Sequence, residues 1–144
     1  MDSTQLIQLD VVTPERRVVH ETATSVTLPG KSGYLGILPW HAPLITELAP
    51  GDLAFVHEGV TGHLAVSGGY AEVLGDRVTV LAPASERPEE IDVDRAERAR
   101  QRAEERLKQV TSTDIDFDRA RIALARSMTR LQIAGYGAHR PKSS

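Results

Sequence analysis

Hydrophobic and polar positions follow two different rhythms along this chain. Up to about residue 82 the apolar residues come in short, partly alternating runs: Leu6, Ile7, Leu9, Val11 and Val12 before Pro14, then Val18, Val19, Ala23, Val26 and Leu28 before Pro29-Gly30. Tyr34 to Leu38 follows, then Leu53 to Val56, His63 to Val66, Tyr70 to Val73 and Val78 to Leu81. Short β-branched runs of this kind, separated by Gly and Pro, predict strands. Glu58 to Gly62 reads as a hairpin connection, while Pro50-Gly51, Ser67-Gly68-Gly69 and Gly75-Asp76 read as turns. Turn signals about every eight to ten residues predict an antiparallel sandwich or barrel.

From Ile91 to Ile133 the period lengthens. Val93, Ala96, Ala99, Ala103, Leu107 and Val110 step by three or four residues, which puts them on one stripe of a helix. Asp92 or Asp94 is suited to cap its start. Thr111 to Asp114 supplies a turn, and Phe117, Ala120, Leu124, Met128 and Leu131 resume the stripe until Gly135 and Gly137, which are expected to stop it. Two stripes joined so closely predict an antiparallel αα-hairpin. Its seam is thin, because alanine buries only a methyl group, worth about 0.8 kcal/mol against about 1.5–3 for a full Leu or Val. A segment so held is expected to open or undock. Residues 82–90 lack periodicity and hold two prolines, so the boundary falls there. The expected fold is α+β: a β-sandwich or barrel over 1–87, a helical hairpin over 88–136, and a disordered tail over 137–144.

Composition narrows the chemistry. With no cysteine there are no disulfides and no thiolate metal sites, and a reducing compartment is the natural expectation. Met1 to Thr4 lacks the features of a signal peptide, and no apolar run reaches membrane-spanning length, so any membrane association is expected to be indirect. Met1 to Pro83 carries four basic and nine acidic side chains, whereas Ala84 to Ser144 carries thirteen and eleven. After Asp118 only basic charges follow, at Arg119, Arg121, Arg126, Arg130, Arg140 and Lys142. That order suits a helix dipole, and it equally suits an acidic partner. Nucleic acid is not indicated, since the chain is acidic overall and has no basic-aromatic platform.

No catalytic constellation stands out. There is no phosphate-cradling loop with Lys and Ser or Thr, and no motif that activates a serine. The histidines are scattered; His57 and His63 could face each other across a hairpin, but no third metal ligand is near. Trp40 and His41 sit in a Pro-framed loop, either as an interface or with Trp40 folded back as core. Arg95 and Arg102 lie two turns apart on the first helix, Arg126 and Arg130 one turn apart on the second. They could converge on a phosphate, or form an ordinary solvated face with Glu97, Glu104 and Glu105.

These residues resemble the epsilon subunit of bacterial F-type ATP synthases, the counterpart of the mitochondrial delta subunit. The matching stretches are Leu9 to Pro14, Gly33 to Pro39 with His41 to Leu44, Val66 to Val73, Val78 to Ala82 and Ile91 to Ala96, in order over about Leu6 to Leu131. The resemblance implies a non-catalytic rotor-stalk subunit that couples proton translocation to ATP synthesis and restrains hydrolysis through a mobile helical hairpin. It would sit peripherally on the cytoplasmic face of the inner membrane. It implies a sandwich docked on the gamma subunit and the c-ring, with Trp40, His41, Ala42 and Pro43 as contacts. It implies a hairpin that extends toward the alpha and beta subunits, with Arg119, Arg121, Arg126 and Arg130 against an acidic loop of beta. No cofactor is required, but ATP is implied as a regulatory ligand of Glu86, Ile91, Asp92, Arg95, Ala96, Arg102, Arg126 and Arg130. Where the family usually has Gly before His41, this chain has Trp40. If that glycine adopts positive φ, Trp40 is strained. The alternative function is a free-standing soluble ATP sensor.

Overall fold

The structure, a computed structural model, describes residues 5–111 and 115–138. The chain divides into two compact units, 1–86 and 87–144. The first is built of strands: β1 (Ile7–Val12), β2 (Arg17–Ala23), β3 (Ser25–Gly30), β4 (Gly33–Ile37), β5 (Leu44–His57), β6 (Val60–Leu74), β7 (Arg77–Leu81) and β8 (Ser85–Glu86). They form one sheet in the order β2-β1-β7-β6-β5-β3-β4, with β8 on β6, folded over a shared core as a sandwich. The pairings are antiparallel except β1 with β7, which run parallel. Those two strands are far apart in sequence, so no hairpin dictates their relative direction. The single apolar run expected over 16–28 is two strands, broken at Thr24, whose N–H donates to the Val56 carbonyl at 2.8 Å.

The turns expected at Pro50-Gly51 and Ser67-Gly69 are not chain reversals. Both lie inside strands, because β5 and β6 stay paired from Leu44 opposite Val73 to His57 opposite Val60. What happens there is a reversal of alternation. On β5 the buried residues are Leu53 and Phe55 on one side of the bend and Leu48 on the other; on β6 they are Leu64 and Val66, then Ala71 and Val73. One extra step in each strand lets both halves face the same core, as a bulge does. Gly68 and Gly69 have φ of 117° and 106°. A Cβ on Gly69 would lie 2.0 Å from the Leu81 carbonyl oxygen. A glycine signal marks backbone freedom, and a bend uses that freedom as readily as a turn does.

Between β4 and β5 the chain makes a tight turn, with the His41 N–H donating to the Leu38 carbonyl at 3.2 Å. Pro39 and Trp40 are its central residues. Trp40 has φ 64°, the value that a type II turn reserves for glycine at this position.

In the second unit a 3-10 turn (Pro88–Glu90) leads to α1 (Val93–Gln109) and α2 (Ile115–Ala138). Asp92 caps α1, its carboxylate accepting from the Arg95 N–H at 3.0 Å. The residues buried along the seam are Ala96, Ala103, Ala120 and Ser127. Met128, expected on the stripe, is 54% exposed. A repeat of alternating threes and fours through Phe117, Ala120, Leu124 and Leu131 reaches Ser127, whose hydroxyl donates back to the carbonyls of Ala123 and Leu124 at 3.0 and 2.9 Å. Val93 likewise falls off the seam and is exposed. The glycines do not stop α2, which runs past Gly135 and the expected hairpin end at 136. The reason is local: a Cβ on Gly137 would sit 3.1 Å from Pro88 Cβ, so glycine lets the helix pass close to the 3-10 turn. Most of the expected turn, 112–114, and of the expected tail, 139–144, lies outside the described residues.

Two outcomes follow from this backbone geometry. Trp40→Gly should raise stability in chemical denaturation by about 0.5–1 kcal/mol, the relief of a side chain at positive φ less the extra entropy of glycine. Gly69→Ala should lower it by at least about 3 kcal/mol, through the clash with Leu81 and the positive φ together; a change within 1 kcal/mol, roughly the range of an ordinary surface substitution, would show that the bend does not depend on this residue.

Candidate functional site

The structure answers the question about Trp40: it does not fold back as core, being 62% exposed. The turn that holds it also exposes Leu38, Ala42 and Pro43, while His41 is half-buried with its Nδ1 2.7 Å from the Ala42 carbonyl. A turn that would prefer glycine thus holds an indole out among apolar neighbours, so the loop presents an exposed apolar patch.

The histidines have structural partners. His20 Nδ1 meets Asp10 at 2.5 Å, His57 Nδ1 meets the Thr22 carbonyl at 2.7 Å, and His63 Nδ1 meets Asp52 at 2.9 Å. His57 lies opposite Val60 and His63 opposite Ala54, so the two imidazoles do not oppose each other across the hairpin. Burial pushes the Asp52 carboxyl up, while the charge and hydrogen bond of His63 pull it down. Among the described residues no group of three or more potential metal ligands comes together.

The residues of the implied nucleotide site fall into two classes. Ile91 and Ala96 are buried and Asp92 is occupied as the α1 cap, so these three shape the start of the helix. Arg95, Arg102 and Arg126 are exposed and Arg130 is half-buried. Glu86 belongs to the strand unit, where β8 sets it opposite Ala65. A connector as short as 110–114 makes α1 and α2 antiparallel. Counting back from Gln109 and on from Ile115, Arg95 and Arg130 then stand at nearly the same height, about 21–23 Å from the connector at 1.5 Å per residue. On helical phase Arg95, Arg102 and Arg130 flank the seam on the same side, about 80–120° round from it, with Arg126 further round at roughly 100° per residue.

The solvated face expected around these arginines is held elsewhere. Arg100, half-buried, bonds Glu104 at 2.6 Å and also Glu97. Those two carboxylates raise the Arg100 pKa, and Arg100 in turn lowers that of Glu97. Glu97 and Glu104 are thus engaged by a residue that sequence reading passed over, though its i−3 and i+4 carboxylates were the signal, while Glu105, three residues on from Arg102, lies 4.0 Å from the Lys108 ammonium. On the far side of α2 from the seam, Ile115, Arg119, Ile122 and Arg126 alternate at spacings of four, three and four; the first is 73% exposed and Ile122 39%. Arg121 is exposed as well, with Asp118 3.8 Å from its Nε.

Comparison with known proteins agrees with this architecture along the chain. Residues 6–88 match the family of the ATP synthase delta/epsilon chain β-sandwich domain, and residues 89–135 match the ATP synthase delta/epsilon chain long α-helix domain. The ATP synthase epsilon chain of Herpetosiphon aurantiacus is 50% identical over 128 residues, 89% of this chain and 93% of that one. That of Koribacter versatilis is 56% identical over 100 residues, 69% of this chain and 70% of the relative. Among solved structures, a chain in the Euglena gracilis mitochondrial ATP synthase (OSCP, F1 and c-ring) shares the fold with a TM-score of 0.74 at 22% identity, over 94% of this chain and 82% of that one. With both domain types present in order and relatives of this identity along nearly its whole length, the chain belongs to the ATP synthase delta/epsilon family as a non-catalytic epsilon chain.

Proposed function

We propose that the chain works in the central stalk of an F-type ATP synthase, where it couples proton translocation to ATP synthesis and restrains hydrolysis with its helical unit. Its β-sandwich meets the gamma subunit and the c-ring through the turn carrying Trp40, His41, Ala42 and Pro43. Membrane association is then indirect, at the cytoplasmic face; no described helix is long and apolar enough to cross a bilayer. The helical unit reaches toward the alpha and beta subunits. The acidic loop of beta is met by the basic outer face of α2, through Arg119, Arg121, Arg126 and Arg130.

The observation that carries the regulatory part is the seam of Ala96, Ala103, Ala120 and Ser127. Small side chains on both helices bring the backbones close but bury little apolar area per residue, at about 25 cal/mol per Å². A hairpin of this kind is held by a modest free energy, which two alternative partners can outbid. Arg95, Arg102, Arg126 and Arg130, with Ile91, Asp92 and Ala96, form the ATP site of the helical unit that favours one arrangement over the other. A free-standing ATP sensor is the less favoured reading, since the relatives at 42–57% identity are epsilon chains.

Two measurements test the proposal. ATP at millimolar concentration should raise the melting temperature of the isolated chain, with the rise largely lost in Arg126→Ala; no rise in the parent protein removes the nucleotide site. In the reconstituted complex Arg119→Ala combined with Arg121→Ala should raise steady-state ATP hydrolysis several-fold, without loss of the chain from the stalk. Hydrolysis equal to that of the parent complex would remove the contact with beta.

A further inference from the structure

Beyond the Trp40 turn, one side of β5 is open. β6 pairs with β5 along its length, but on the other side β3 meets it only at Ser25–Thr27 against Ala54–Val56 and at Gly30 against Leu48. No described strand lies beside Leu44 to Glu47. Which backbone groups face that open side follows from the β6–β7 hairpin. Its two-residue connection, Gly75-Asp76, makes Leu74 and Arg77 a pair that bond each other. By alternation Ala71 and Val73 then turn toward β5, where Thr46 and Leu44 answer them. Ile45 and Glu47 are therefore turned outward. The Lys31 N–H, 2.9 Å from the Glu47 carbonyl on that outer side, agrees. The N–H and C=O of Ile45 and the N–H of Glu47 remain, three backbone groups at strand spacing. Beside them is an open groove of about 380 Å³ lined by Pro43, Leu44, Ile45, Glu72, Val73 and Leu74. Ile45 is 72% exposed there.

We propose that this edge takes up an extended segment of another subunit of the assembly, added as a strand against Ile45 to Glu47. An apolar side chain of that segment lies on Ile45 and Leu74, and a basic one reaches Glu72. Outward backbone donors and an acceptor at this spacing are matched by extended backbone, not by a helix. The charge follows from the groove: Glu72 is the charged group in its lining, whereas Glu47 at its end already faces Lys31 at 3.3 Å. A second copy of this chain is a poor occupant, because pairing two such edges antiparallel about Ile45 would set the Pro43 of each beside the Glu47 of the other, where Lys31 already stands with its N–H 2.9 Å from the Glu47 carbonyl. Edges left this open are ordinarily blunted by Pro, Lys or a bulge. Here Pro43 and Lys31 bracket the open stretch without closing it. The inference rests on the stalk reading above.

The test uses the complex reconstituted with the parent chain, Ile45→Val or Ile45→Pro. Proline at 45 removes an outward N–H and leaves the β6 ladder whole, so the variant should keep the parent melting temperature yet bind the complex about tenfold or more weaker. Ile45→Val should bind within about threefold, having lost one methylene. Should Ile45→Pro fail to fold, hydrogen exchange on the parent chain decides: the Ile45 and Glu47 amides should exchange freely in the isolated chain and at least tenfold slower in the complex. Equal binding by a folded Ile45→Pro overturns the proposal, as does protection that grows with concentration in the isolated chain. A chain that assembles with both amides unprotected overturns this inference alone. A parent chain that does not enter the complex overturns the stalk reading and this inference with it.

Discussion

The fold turns on the contact between Gly69 and the carbonyl of Leu81, where a strand passes so close to its neighbour that no Cβ could stand between them. At that point β6 exchanges one partner for another: it pairs with β8 at Ala65 and Val66 and with β7 from Tyr70 onward. β5 bends with it. Two long strands thereby serve both layers of the sandwich, and the chain needs no separate corner connections. Because the alternation reverses at the bend, Leu53 and Phe55 on one side and Leu48 on the other enter one core. Where β5 is left without a neighbour is set by the β3–β4 hairpin, which turns back at Lys31 and Ser32 beside Glu47.

The helical unit is built on the opposite principle. Where the sandwich fills its interior with Leu, Ile and Val, the hairpin seam is lined by alanine and a serine whose hydroxyl is satisfied within its own helix. Backbone approach replaces side-chain volume, and Gly137 extends the same economy of size to the 3-10 turn. Of the larger apolar groups of α2, Phe117, Leu124 and Leu131 are half-buried on the seam stripe and Ile133 is fully buried, while Ile115 and Ile122 face outward among arginines. The two exposed isoleucines leave apolar surface on the side of α2 away from the seam.

Trp40 joins these themes at the loop. A turn that prefers glycine holds instead the chain's one tryptophan, at a φ that costs an L-residue about 1–2 kcal/mol. Strain of this size persists where the surroundings fix it and is concentrated at working surfaces. The open edge of β5 begins a few residues later, so the strained turn and the unpaired strand form one continuous stretch of chain.

The sequence by itself determined the division into a strand unit and a helical unit, most of the strands, the α1 cap at Asp92, and the family, because these depend on local period, capping chemistry and residue order. It also marked position 40, since a Trp where the family resemblance implies glycine raises the question of φ. It did not reveal that Pro50-Gly51 and Ser67-Gly69 bend strands instead of ending them, for a glycine admits either and only the neighbouring strand chooses. It placed Met128 on the seam where Ser127 belongs, because a period of three or four leaves one residue of freedom that the packing of α1 removes. It read α2 as ending at Gly135 and Gly137, though the approach of Pro88 makes glycine useful there inside a helix. The parallel pairing of β1 with β7, the side of β5 left open and the engagement of Arg100 with Glu97 and Glu104 were decided by tertiary structure, since each depends on which groups meet, and no local pattern fixes that.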